Sequence, residues 1–257
     1  GCYSRTKVSR CNIDKNFNPL KVRLSNREKI LYPDYFGINQ RVVEKVISTF
    51  GSNNVIVDCA QAFWADYNCL AILKSYRKFF PVPDGSSILT NLQLKLGSIE
   101  RNNSVKFDHL LDPVKKSAYE HFLAAEDEFS NLKIKKISKV AKVLMSNLDL
   151  KKIREIRGKN FNYFHNLFKA NNLLNCNSNK DSALNYPLLL NGINLSKQQL
   201  HQKGIFVPTY WSKRAGLHYN DFEQALVDNC IFIPIDQRCN TKDIQIIASE
   251  INQMIGK

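Results

Sequence analysis

Two short stretches hold residues that could do chemistry together. In Val57-Asp58-Cys59-Ala60-Gln61-Ala62 an acid closes an apolar run. In Ser75-Tyr76-Arg77-Lys78-Phe79-Phe80-Pro81-Val82-Pro83-Asp84-Gly85 a lysine follows a second apolar run and enters a proline-stiffened turn. A primary amine can attack a carbonyl carbon, and a carboxylate can keep a ring nitrogen protonated. An acid and a lysine at neighbouring strand ends therefore suit pyridoxal phosphate, with Lys78 as the covalent anchor and Asp58 as the partner of the ring nitrogen. Lys74 and Arg77 would depress the pKa of the Lys78 ammonium, and the freed amine would serve as a base. Gln61 could hydrogen-bond the ring hydroxyl, and Ser75 could donate to the cofactor phosphate. Taken singly, each residue has a plainer role, since an acid after a strand usually caps a turn and a lysine usually lies in solvent. Their joint order carries the reading.

The elements needed to position them are legible around both stretches. Residues 29–32 read as a short strand and 33–37 as a loop. Val42, Val43, Val46, Ile47 and Phe50 share one helical face, with Gly51 where a C-terminal cap belongs. Val55 to Val57 form the next apolar strand. Strand, helix and strand in this order predict a parallel pair, whose ligands lie beyond the carboxyl ends of the strands. Residues 69–73 and 87–92 are further strand candidates around the Lys78 turn. The pattern over 108–170 is helical, with a long helix expected near 112–129. Residues 171–182 are polar and Asn-rich and read as a loop. Residues 186–190 and 230–235 read as strands, and 196–203 and 241–255 as helices. In the last helix Ile244, Ile247, Ile251 and Ile255 form an apolar stripe, with Thr241 as the expected N-cap.

Composition narrows the class. The chain has 257 residues, 44% of them hydrophobic, enough for one large or two modest domains with real cores. No apolar run is long enough to span a membrane as a helix. Its seven cysteines are scattered without a CxxC spacing, which reads as free thiols in a reducing cytoplasm, and no metal-ligand pattern appears. The formal charge of +14 invites a nucleic-acid reading. Residues 132–160 alone carry ten Lys or Arg, Arg157 among them, against Asp149 and Glu155. Ile134, Ile137, Ala141, Leu144 and Leu148 lie at helical spacing there, so the segment reads as a solvated helix face rather than a nucleic-acid patch.

The two stretches also resemble a known family. The first is similar to the Glu-Asp-x-Ala-Gln/His-Ala motif of the DegT/DnrJ-type pyridoxal-phosphate aminotransferases. The second resembles that superfamily's lysine segment in its Ser-x-Arg-Lys-x-x-Pro-Val-Pro-Asp-Gly variant. Tyr35-Phe36-Gly37 matches an aromatic-Gly loop of the same unit. Gly204-Ile205-Phe206-Val207-Pro208-Thr209-Tyr210-Trp211 and Ile233-Pro234-Ile235-Asp236-Gln237-Arg238 are similar to its small-domain segments. The likeness spans residues 25–257. It implies a fold-type I α/β architecture and pyridoxal 5'-phosphate as cofactor, with Lys78 as the Schiff-base lysine, Asp58 at the pyridinium, Gln61 at the ring hydroxyl and Ser75 at the phosphate. It also implies a homodimer that moves an amino group, typically from glutamate, to a keto group on a nucleotide-linked sugar. Residues 1–107 would be the C-terminal part of the large cofactor-binding domain, 108–170 a helical connection and 171–257 a small α+β domain. The sequence departs from the family in three places. Ser75 and Lys78 stand three apart where five is commoner, Ser86 replaces a second glycine, and Val57 replaces an acid. Family members also run longer at the N-terminus, so the chain is expected to be incomplete there. The alternatives are a catalytically silent relative and a basic nucleic-acid-binding protein. Intact Lys78 and Asp58 argue against the first, and charge without a nucleic-acid motif argues against the second.

Overall fold

The computed structural model describes residues 8–94, 98–102, 120, 134–176, 183–193, 195–210, 213 and 216–256. A four-stranded sheet runs in the order β1 (Ile30–Pro33), β2 (Val55–Asp58), β3 (Ala71–Ser75) and β4 (Ser86–Leu89). The first three strands are parallel, the β1–β2 pairing as the strand–helix–strand pattern predicts. β4 returns antiparallel to β3, because the chain after Ser75 closes as a hairpin with Tyr76 N–H donating to Gly85 O at 3.1 Å. Val55 and Val57 are fully buried, and α1 (Gln40–Phe50) lays Val43 and Val46 on the same core. Gly51 ends that helix at φ +83° with its N–H on Ile47 O, where a residue with a Cβ would be strained.

Two helices follow in the basic stretch, α2 (Lys139–Ser146) and α3 (Leu150–Phe168). Each start is set by a side-chain cap: Ser138 Oγ accepts from Ala141 N at 3.0 Å, and Asp149 Oδ1 accepts from Lys152 N at 2.9 Å. The predicted stripe was too long at its N-terminal end. Ser138 begins the helix, and Ile134 lies outside it, exposed to solvent. Arg157 also departs from the solvated-face reading, being fully buried on α3. Apart from residue 120, the long helix expected near 112–129 lies outside the described residues, as does the end of the Asn-rich loop.

A second sheet pairs β5 (Asn185–Leu188) antiparallel with β6 (Ile231–Pro234). It packs with α4 (Lys197–Gln202), α5 (Asp221–Asn229) and α6 (Thr241–Met254). Ile244, Ile247 and Ile251 face this core together with Phe161, Phe164 and Phe168 of α3. The cap of α6 is Asn240 rather than Thr241. Asn240 accepts from the backbone of Lys242 and Asp243 while Asp243 accepts from Asn240 N, a reciprocal box that Thr241 could not form one residue later. The same core takes in Ile13, Phe17, Phe36 and Ile38 from the N-terminal half. Buried Glu223 on α5 holds that connection by accepting from Asn12 Nδ2 at 2.8 Å and Ile13 N at 3.1 Å.

Gly85 closes the hairpin that carries Lys78. Its φ is +118°, and a Cβ there would lie 2.7 Å from Ile137 Cδ1 and 2.9 Å from Tyr76 Cδ2. Gly85→Ala is expected to destabilise the protein by roughly 2–4 kcal/mol, through backbone strain and overpacking together. Thermal unfolding checks this. An unchanged melting temperature would show that the hairpin does not need this backbone conformation.

Candidate active site

Parallel pairing places the two predicted stretches side by side. Asp58 ends β2 between Pro33 of β1 and Leu73 of β3. Cys59 N then donates to Leu73 O at 2.8 Å, so the chain leaves β2 still tied to its neighbour. Ser75 ends β3 opposite Ser86, and Lys78 follows in a turn where the amides of Phe79 and Phe80 both donate to Tyr76 O. Both stretches thus emerge at the carboxyl edge of the parallel strands, where ligands of open sheets collect. Lys78 is exposed, while Asp58 and Ser75 are half-buried.

Asp58 Oδ1 accepts from Ala60 N at 2.9 Å, so the carboxylate also performs the ordinary work of a turn residue. Its second oxygen is the one available to a ring N–H. Gln61 is 6% exposed and accepts from Phe36 N at 3.1 Å through Oε1. That bond uses the acceptor end of the amide and leaves Nε2 as its donor end. Phe36 holds φ +61°, a conformation rare for a bulky residue, inside the Tyr35–Gly37 turn. In chemical type the four side chains are a carboxylate, an amide, a hydroxyl and an amine, the groups that pyridoxal phosphate would need. Among the described residues no cluster of His, Cys, Asp and Glu could hold a metal ion, and no helix is long and apolar enough to cross a membrane.

Several supporting residues escape sequence reasoning. Phe63 and Trp64, just past the acid motif, pack edge-on against Phe80 and Phe79 with ring centroids 4.7 and 5.4 Å apart, forming an apolar bed under the lysine turn. The only signal for them was two aromatics following Ala62. Asp84, read only as a turn residue, is buried and accepts from Ser138 N (3.0 Å), Ser138 Oγ (2.7 Å) and Asn102 Nδ2 (3.0 Å). Ala62 forms an antiparallel bridge with Ala183, bracing the acid motif against the segment that leads into β5.

Asp34 is another such residue. It is 1% exposed and its backbone N–H donates to Asp58 O at 2.9 Å. Its carboxylate accepts from Tyr67 Oη at 2.6 Å and Asn39 N at 3.3 Å. Burial pushes its pKa up to about 6, and these two hydrogen bonds offset only part of that cost.

Known structures share this architecture. PseC of Helicobacter pylori, an aminotransferase involved in the biosynthesis of pseudoaminic acid, superposes with a TM-score of 0.60 at 15% identity over 96% of this chain and 73% of its own. A DegT DnrJ EryC1 StrS aminotransferase from Brucella abortus gives 0.55 at 17% identity, over 89% of this chain and 65% of its own. The PLP-form of Spr1654 from Streptococcus pneumoniae gives 0.55 at 13% identity, over 88% of this chain and 68% of its own. No protein-family profile and no curated protein matches the sequence. The chain has the α/β fold of these aminotransferases, of the fold-type I kind, and spans about two thirds to three quarters of their length.

Because the folded pKa of Asp34 lies above its unfolded value of 3.8, its contribution favours the fold most below pH 4 and is lost as pH rises through about 6. Asp34→Asn removes this titration and keeps an acceptor oxygen. The variant is expected to gain on the parent by on the order of 2–3 kcal/mol between pH 4 and pH 7. Urea unfolding at both pH values measures the gap. A gap that does not change with pH would mean that Asp34 does not titrate in this window.

Proposed function

We propose that the chain is a pyridoxal 5'-phosphate-dependent aminotransferase acting on a keto sugar. One observation carries the reading. An Asp-x-x-Gln turn and a Ser-x-x-Lys turn emerge from paired parallel strands, in a fold shared with sugar aminotransferases. When bound, the cofactor supplies a conjugated pyridinium that can take up the electron pair of a C–H bond beside nitrogen. Lys78 would hold the cofactor covalently through Nζ. Once displaced by the amine of the donor, Nζ would take and return the proton of that carbon. The outer oxygen of Asp58 would accept the ring N–H, and its charge would keep the proton there. Gln61 Nε2 would donate to the ring hydroxyl oxygen without adding charge. The Ser75 hydroxyl would donate to the phosphate.

The finer assignments belong to the same proposal. The amino donor is glutamate, and the acceptor is a nucleotide-linked sugar, which the +14 charge suits because diphosphates are anionic. The working unit is a homodimer in the cytoplasm, where the six described cysteines, all unpaired, would stay reduced. Residues 1–107 belong to the cofactor-binding domain, 108–170 connect, and 171–257 form the small domain.

Lys78→Ala is expected to abolish covalent attachment, read by borohydride reduction and peptide mass mapping. Recovery of the reduced cofactor on another lysine would overturn the assignment. Asp58→Asn should keep attachment at Lys78 yet lose roughly 100-fold or more in turnover, because an amide cannot hold the ring nitrogen charged. Turnover near the parent's would reduce Asp58 to its bond with Ala60.

A further inference from the structure

Among the described residues, the most deeply buried polar side chain outside the assigned site is Arg157 on α3, with none of its surface exposed. Its Nη2 donates to Ala183 O at 3.3 Å and also to Leu184 O, and its Nη1 donates to Gln237 Oε1 at 3.2 Å. Every acceptor that these bonds use is a neutral amide or carbonyl oxygen. Nε is buried without an acceptor. Asp236, an acid whose charge acts on Arg157, is itself bound by Arg238 at 2.9 and 3.2 Å. A buried guanidinium held this way is a poor choice for stability alone, since an apolar side chain of similar volume costs less to bury.

What this assembly holds is the residue after Lys78. The guanidinium carbon of Arg157 lies 4.8 Å from the centroid of the Phe79 ring. Gln237, just beyond β6, accepts from Arg157 at one end and donates to Phe79 O at 3.0 Å from the other. The ring and the carbonyl of Phe79 are therefore fixed by one connected pair of side chains. Pinning both restricts the backbone torsions of Phe79, and so the direction in which the chain presents Lys78. The amides of Phe79 and Phe80 add a third restraint through Tyr76 O.

We propose that Arg157 and Gln237 are positioning residues that clamp Phe79 and thereby set Lys78 against Asp58. This inference rests on Lys78 being the covalent anchor. It couples the anchor to α3 and to the end of β6, elements remote in sequence from the lysine turn.

Gln237→Glu separates positioning from simple stability. The ionised carboxylate keeps and strengthens the contact to Arg157 but has no N–H for Phe79 O. Gln237→Leu removes both contacts, and Arg157→Lys keeps the charge while losing the planar fork. The full chain without cofactor is examined by hydrogen–deuterium exchange of the 76–82 peptide at pH 8. The same proteins are then incubated with pyridoxal 5'-phosphate, trapped with borohydride and mapped. Gln237→Glu is expected to melt no lower than the parent, yet to exchange that peptide at least tenfold faster and to attach cofactor at Lys78 at least fivefold more slowly. Gln237→Leu and Arg157→Lys should do the same with some loss of melting temperature. Unchanged exchange overturns the clamp, and faster exchange with unchanged attachment overturns its role in positioning Lys78. If the parent chain attaches no cofactor at Lys78, the functional reading fails instead. Exchange alone then decides whether the pair holds the turn.

Discussion

The lysine turn depends first on the buried carboxylate of Asp84. It sits between a proline-stiffened loop and the start of α2, and it accepts three hydrogen bonds, two of them from Ser138. Ser138 in turn caps α2, so one acid ends the turn and begins the helix. Removing the carboxylate would take the acceptor from the Ser138 N–H and hydroxyl in a buried place, which costs more than the bonds themselves contribute. Gly85 enforces the same geometry by steric means, since Ile137 and Tyr76 both crowd the place a Cβ would take. Hydrogen bonding and packing therefore act on the same few residues, and the hairpin has little freedom to shift Lys78 relative to β3.

The acid half of the site is restrained differently. Its geometry comes from the sheet itself, through the pairing of Asp58 with both neighbours and the bond from Cys59 N to Leu73 O. Turn residues from before α1 complete it, with Phe36 orienting Gln61 and Asp34 capping the strand end. One half of the site is thus a sheet edge with fixed register, and the other is a turn that needs external bracing. This difference explains why the buried cation and its glutamine partner gather on the lysine side. Parallel pairing already locks the acid, whereas nothing in β3 alone determines where a residue three positions past its end will point.

Much of this was legible in the sequence. Alternating or continuous apolar runs bounded by turn residues gave β1, β2 and α1, and the Asp58 and Lys78 stretches declared themselves by residue order. What could not be read were pairings across long separations. Nothing local to Arg157 distinguishes it from the exposed lysines and arginines around it. Its partners Gln237 and Phe79 each lie about 80 residues away in the chain, and Ala183 and Leu184 are 26 and 27 away, separations that only tertiary contact bridges. The shift of the α6 cap from Thr241 to Asn240 has a more local cause. Both residues can cap, and the choice fell to whichever had an acid three positions later, which is Asp243 for Asn240.

The basic surplus also divides on physical grounds. The other described Lys and Arg residues of 132–160 are exposed, where water screens them and their mutual repulsion is modest. Arg157 alone is withdrawn from solvent, and burial pulls its pKa down to about 10. It stays charged at neutral pH even so, and that charge is placed over an aromatic ring and against backbone carbonyls rather than against an acid. The guanidinium carbon thus sits over the ring of Phe79, the residue next to Lys78, while Gln237 bridges from Arg157 to Phe79 O.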